Sequence, residues 1–269
     1  MTRAVDVRVR NDVSDIGIVR DTLDSLAREF GIPVRALTQL QVALDEVVSN
    51  VINYSWDDGG QHEFLVRIMV HPARVDLEIF DEGRDFDPMT APPPKHAPEG
   101  QRPRPGGLGI HMIKRLVDHF TRERIDGCNH TTLSKTCEVG TAIQRSDKMN
   151  ALSIGETRAG NVCIVTLSGR IDSTNANDVM AEFTRLISSG EKSILVDLGA
   201  VLYLTSAAFR ALLIATDQAE QQAASFALCN VAGHVRELFE MGGMLEVFAI
   251  HNSREEALKQ LGGPRLRAP

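Results

Sequence analysis

Apolar and polar residues alternate from Ala4 to Arg10, the period of a half-buried strand, and the spacing then turns helical. Ser14 is placed to cap a helix whose buried stripe is Ile16, Ile18, Val19, Leu23 and Leu26, and Gly31 ends it. Pro33 suits the first turn of a second helix reaching about Tyr54, with Leu37, Leu40, Leu44, Val47, Val48 and Val51 on one face. Two strands, roughly 62–70 and 74–81, meet at His71-Pro72-Ala73-Arg74, which reads as a tight hairpin connection. Residues 90–106 carry Pro92, Pro93, Pro94, Pro98, Pro103 and Pro105 and read as a long polar loop. Helical spacing returns from Gly107 to Phe120, and strands over 121–126 and 131–138 close a first unit.

Residues 139–150 lack periodicity and form the best linker candidate. A second pattern follows. Strands are expected at 152–157, 162–167, 193–198, 225–231 and 246–250, alternating with helices at 174–187, 206–221, 233–241 and 253–261. The expected organisation is therefore two α/β domains, residues 1–138 and 151–265, with no internal repeat relating them.

At 269 residues, with 43% apolar and 24% charged positions, the chain has material for two cores. Its net charge of -7 argues against bulk binding of nucleic acid or acidic membranes, because no basic field would neutralise phosphates. Cys128, Cys137, Cys163 and Cys229 form no C-x-x-C pair and lack zinc-ligand spacing, so reduced thiols are expected. The first residues do not read as a signal peptide, and no apolar run approaches the ~20 residues that span a bilayer. A cytoplasmic protein is the expectation.

The candidate chemistry lies in three places. Glu46 and Asn50, at i and i+4, share a helix face with Asn53; a carboxylate there can accept a proton and an amide oxygen can hold Mg²⁺ beside phosphate oxygens. Glu is ordinary on a solvated helix face, but Asn competes with helical backbone bonding, so Asn50 and Asn53 within an apolar stretch call for a reason. Asp81 ends an apolar strand, where its carboxylate can accept a bond from an exocyclic amine such as adenine's, and Gly83 would let a ring approach; a strand-end Asp-x-Gly is also a common turn. Gly106-Gly107-Leu108-Gly109 precedes a helix, so its backbone N–H groups and the helix dipole can face phosphate, or it is an ordinary loop-to-helix junction.

In this order, E-x-x-x-N at Glu46 and Asn50, D-x-G-x-x-F-D-P at Asp81–Pro88 and G-G-L-G-I at Gly106–Ile110 resemble the GHKL ATPase superfamily, specifically the anti-sigma-factor serine kinases of bacterial partner switching. The resemblance covers about residues 5–138. It implies a GHKL-type α/β sandwich, a mixed sheet with helices on one face. It also implies ATP and Mg²⁺ as cofactors, Glu46 as catalytic base and Asn50 as Mg²⁺ ligand. Asp81 would recognise adenine, residues 84–106 would form the lid, and pairing into a homodimer would follow. Asp85 stands where the wider superfamily has a second glycine, which fits the anti-sigma kinase branch and counts against a histidine kinase. A threonine near the domain's end usually helps bind adenine, and Thr131 or Thr132 is the candidate.

The second half, around the run from Asp197 to Arg210, resembles a STAS domain, the fold of anti-sigma-factor antagonists. In that family a serine at the position of Ser206 is phosphorylated by the partner kinase. Ser at a helix start is also a preferred cap that needs no modification. Thr205 replaces the family's usual aspartate and Ala208 its usual glycine. The resemblance implies a protein-serine kinase fused to its own antagonist-type domain. It would act on that domain in cis or trans, or on a separate STAS protein, and control a sigma factor. An extended linker spans at most ~40 Å, which permits either route. The alternatives are an ATP-binding scaffold of weak kinase activity regulated by STAS docking, and a metabolic ATPase indifferent to STAS partners.

Overall fold

The computed structural model describes residues 2–85, 108–140, 151–231, 233–241 and 243–261, and the chain divides into two compact units, residues 1–147 and 148–269. The first unit runs β1 (Arg3–Arg10), α1 (Ile16–Phe30), α2 (Val34–Tyr54), β2 (Glu63–His71), β3 (Arg74–Asp81), α3 (Leu108–Leu116), β4 (His119–Ile125) and β5 (Cys128–Thr136). Its five strands lie in the order β1-β2-β3-β5-β4.

Every pairing in this sheet is antiparallel, which corrects the expected mixed sheet. The reason is local: two hairpins, His71↔Arg74 and Ile125↔Cys128, force their strands to run oppositely, and β5 inserts between β3 and β4. Strands β3 and β4 therefore point the same way without touching, joined through α3. The Asp126-Gly127 turn has φ of 51° and 85°, the twist that a two-residue hairpin favours. Along β2 buried and half-buried residues alternate, so one face packs inward.

Helix α2 is buried nearly all round, with Leu40, Val42, Leu44 and Val48 at 2% exposure or less, because it lies among α1, α3 and the sheet. Gly31 adopts φ 64° as the left-handed cap that stops α1 and lets α2 reverse against it. Ser14 is not the cap of α1. It sits in a short 3₁₀ turn, Val13–Asp15, where Asp12 accepts from the Ser14 N–H at 2.9 Å. Helix α3 also stops earlier than expected, at Leu116 rather than Phe120. The Asp118 carboxylate takes the Thr136 N–H at 2.6 Å, and the Asp118 N–H donates to the Ser134 carbonyl at 2.8 Å. Those bonds draw the chain onto the sheet, and His119 begins β4.

The second unit runs β6 (Ser153–Ala159), β7 (Val162–Ile171), α4 (Ala176–Ser188), β8 (Ser193–Leu204), α5 (Ser206–Gln221), β9 (Ser225–Cys229), α6 (Gly233–Met241), β10 (Ile250–His251) and α7 (Arg254–Leu261). The sheet order is β10-β9-β8-β7-β6, with β6 antiparallel to β7 and the other pairs parallel. Strand β8 outruns its expected end at Leu198 by continuing through Gly199 to Leu204, with register shifts against β7. The strand expected over 246–250 shrinks to Ile250–His251. Phe248 turns instead onto Phe239, ring centres 5.8 Å apart, so its apolar surface is buried by packing on α6 rather than by pairing.

Candidate functional site

An open cavity of about 380 Å³ lies in the first unit, lined by Val47, Asn50, Val51 and Ser55 of the α2 region, Asp81 of β3, Ile110 of α3, and Phe120, Arg122, Asn129 and Thr131 of β4 and β5. Val47, Val51, Ile110 and Phe120 give it an apolar wall, and Asn50, Ser55, Asp81, Arg122, Asn129 and Thr131 supply the polar groups.

One helical turn separates Glu46 from Asn50, and the Asn50 Nδ2 donates to Glu46 Oε1 at 3.2 Å. That bond fixes the amide with its oxygen free of the carboxylate, the atom a hard cation requires. Glu46 itself is half-buried beside the cavity. It is pressed against α3, because a Cβ on Gly109 would fall inside the Glu46 carboxyl group. Only glycine leaves that carboxylate where it is.

Asp81 is buried at the end of β3, and its Oδ1 accepts the Gly83 N–H at 3.0 Å and the Asn129 Nδ2 at 2.9 Å. Gly83 is equally constrained: a Cβ there would stand 2.6 Å from the Ser55 carbonyl oxygen and 2.8 Å from Asp81 Oδ1. The Arg84 N–H donates to the same Ser55 carbonyl at 2.9 Å, so the chain leaving β3 is stitched to the end of α2.

Of the two threonines, Thr131 is buried and lines the cavity, facing the same way as Asn129 two residues before it. Thr132 lies on the opposite face of β5, its hydroxyl 3.4 Å from His130 Nε2. Asn53 is not brought to the cavity. It is exposed, and its Nδ2 donates to the Ser49 carbonyl at 2.7 Å; at i+7 it keeps to the side of Glu46 but lies two turns further along, at the end of α2. Gly107 and the lid residues 86–106 lie outside the described residues, and Leu108 opens α3.

Two arginines and an asparagine were not singled out by motif or spacing. Asn129 Oδ1 accepts from Arg122 at 2.7 Å and from Arg124 at 2.6 Å, while Arg122 also pairs with Asp85 at 3.0 Å. No alternation in residues 128–132 marks them in the sequence; in the structure Asn129, Thr131 and Leu133 share the inward face of β5, and a polar residue there demands partners. Burial pushes the neighbouring Cys128 thiol above its ordinary range, helped by the negative charges of Asp81 and Glu82.

Ser206 is the first residue of α5 and is 8% exposed. Thr205 before it is fully buried, and its hydroxyl neither caps the helix nor finds another partner among the described residues.

The first unit is thus an antiparallel sheet with helices packed on it and a cavity among α2, α3 and three strands, with Asn50 on its wall. Residues 9–135 match the family described as histidine kinase-like ATPase domain, and residues 156–257 match the STAS domain. The chain is 38% identical over 94 residues to BtrV of Bordetella bronchiseptica, named as an anti-sigma factor antagonist, covering 35% of this chain and 81% of BtrV. It is 29% identical over 97 residues to the serine/threonine-protein kinase BtrW of the same organism, covering 35% of this chain and 67% of BtrW. To the serine-protein kinase RsbW of Oceanobacillus iheyensis it is 25% identical over 119 residues, covering 42% of this chain and 75% of that kinase. The chain belongs to the STAS family through its C-terminal half and carries a histidine kinase-like ATPase domain in its N-terminal half. Among the described residues no helix is long and apolar enough to cross a membrane.

Proposed function

We propose that the chain is an ATP- and Mg²⁺-dependent protein-serine kinase fused to an antagonist-type STAS domain, working in a partner switch whose other members are STAS proteins and a sigma factor. The kinase domain is assigned to residues 1–138, the linker to 139–150 and the STAS domain to 151–265. The observation that carries the reading is the placement of Glu46: bonded to Asn50 on the cavity wall and seated where Gly109 has no side chain. In this reading Glu46 takes the proton from an attacking serine hydroxyl. Asp81, oriented by Gly83, accepts from the adenine amine beside Thr131. Backbone N–H groups of Gly107, Leu108 and Gly109 receive phosphate oxygens. Asn50 holds the Mg²⁺, which when bound offsets charge on the phosphates. The chain acts in the cytoplasm as a homodimer, as the resembled kinases do.

The substrate is a serine at the start of a STAS helix, and Ser206 is this chain's own candidate. Phosphate there would sit at the positive end of a 16-residue helix dipole. Because Ser206 is nearly buried, a separate STAS protein is the better acceptor, and that burial favours the second reading for this chain's own domain, a docking arm.

The test is intact mass after incubation of the full chain with ATP and Mg²⁺, alone and with candidate STAS proteins. A phosphate-sized gain on a STAS serine, lost in Glu46→Ala, is expected. ATP binding with no transfer to any STAS protein would replace the kinase by a nucleotide-gated scaffold.

A further inference from the structure

Asn129 occupies an unusual position: a neutral side chain, 1% exposed, that joins two guanidinium groups to a carboxylate. Its Oδ1 takes one N–H from Arg122 and one from Arg124, and neither guanidinium can accept a bond in return. The amide therefore has one orientation. Its Nδ2 must face the other way, and there it donates to Asp81 Oδ1 at 2.9 Å, to the Arg84 carbonyl at 3.1 Å and more weakly to the Gly83 carbonyl at 3.4 Å. The Arg124 guanidinium also donates to the Gly83 carbonyl at 2.8 Å, so both sides of the Asp81-Glu82-Gly83 turn hang on one side chain and its clamps.

The consequence falls on Asp81. Both described bonds to its carboxylate, from Gly83 and from Asn129, end on Oδ1. Oδ2 is left to meet the ligand as an acceptor. Arg122 reinforces this from the cavity wall, with its side chain 7% exposed and its remaining reach taken by Asp85.

We infer that Asn129 is a positioning residue for base recognition: the Arg122–Asn129–Arg124 clamp presents Asp81 as a pure acceptor, which selects a nucleobase bearing an exocyclic amine over one bearing a carbonyl at the same position. The inference rests on the reading of this cavity as the nucleotide site. It makes Asn129 a determinant of adenine against hypoxanthine, acting through Asp81 without touching the base.

Asn129→Asp tests it, because the change preserves shape. The two arginines keep their acceptor, but the donor facing Asp81 becomes an oxygen. The donor that holds Asp81 Oδ1 is lost and an oxygen that can only repel it takes its place, so Asp81 no longer keeps the orientation that offers Oδ2 to the base. Binding of ATP and ITP is measured by calorimetry on the full chain, together with the melting temperature. The wild type is expected to prefer ATP, and Asn129→Asp to reduce the ATP-to-ITP ratio by about tenfold or more, the scale of one hydrogen bond to a charged group. Asn129→Ala, which introduces no buried charge and serves if the first variant does not fold, is expected to weaken ATP binding and narrow the ratio severalfold.

A variant that binds ATP and keeps the wild-type ratio would reduce Asn129 to a structural strut and overturn the inference alone. A wild-type chain that binds both nucleotides equally would overturn the inference alone, and one that binds neither would overturn the nucleotide reading with it.

Discussion

Gly109→Ala places a methyl group inside the Glu46 carboxyl group, and the two ways of relieving that overlap have different signatures. Either Glu46 swings away and breaks its 3.2 Å bond from Asn50, or α3 backs off from α2. Overpacking of this kind costs about 1–3 kcal/mol. Replacing glycine by alanine within a helix returns up to about 1 kcal/mol. A net fall of about 1–2 kcal/mol lowers Tm by roughly 3–8 °C in a unit of this size, so the domain still folds. With Glu46 in its proposed role of general base, catalysis is hit harder, because displacing such a base costs about 10²–10⁴ in rate. Turnover is therefore expected to collapse in a protein that remains folded.

The control is the same substitution in a Glu46→Ala background. Removing the carboxyl empties the space that the new methyl would enter, so Gly109→Ala should then cost little or no stability. The two sites must be strongly coupled in a double-mutant cycle of melting temperatures. Initial rates of phosphate transfer to a STAS protein supply the functional arm. The reasoning is refuted if Gly109→Ala keeps wild-type turnover, or if its loss of Tm is the same with and without the Glu46 side chain.

Two further outcomes concern the second unit. Burial pushes the Asp197 carboxyl up, but donors on Asn230 at 2.9 Å, the Gly199 N–H at 2.9 Å and Arg254 at 2.7 Å more than offset that and hold it below its ordinary range. Its folded-state pKa thus lies below the unfolded value, so its stabilisation is complete above about pH 4 and disappears as pH falls through the folded-state value. Asn in place of Asp197 is expected to cost about 2 kcal/mol near pH 7 and to flatten the acid loss of stability, measured by denaturant unfolding from pH 3 to 8; an unchanged acid slope would exclude this group. Burial also pushes the Cys163 thiol to about 11 and the Cys229 thiol to about 12. Both should resist a thiol-labelling reagent at pH 8 in the native protein and react only on unfolding; labelling at the rate of a free thiol would contradict their burial.

The elements with a long unbroken period were legible in the sequence. Leu40, Leu44, Val47, Val48 and Val51 fixed both the face of α2 and, by the same rotation, the common face of Glu46 and Asn50. Asn53 keeps to that side but lies two turns beyond Glu46, at the exposed end of α2, a displacement along the axis that face counting ignores. Asp126-Gly127 was a strong hairpin signal in plain view, yet Cys128 to Thr132 has no apolar alternation to mark a strand, so the inward face of β5 stayed invisible. Asn129 was lost with it. Residues 247–250 failed in the opposite sense: of an apolar run that resembles a strand, only Ile250 pairs, and Phe248 packs on α6.

The least legible feature is the junction at Thr205 and Ser206, where the resembled family carries an aspartate. A buried hydroxyl with no hydrogen bond costs about 1–3 kcal/mol, so Thr205 is not there for stability. What the substitution changes is charge. An aspartate beside a phosphoserine would set a third negative charge against the two that phosphate brings, whereas threonine leaves the end of α5 neutral and its dipole unopposed. The same burial that keeps Thr205 dry leaves the Ser206 hydroxyl little room for a phosphate. Modification therefore requires the first turn of α5 to open, and the free energy of that opening separates a substrate from a docking arm.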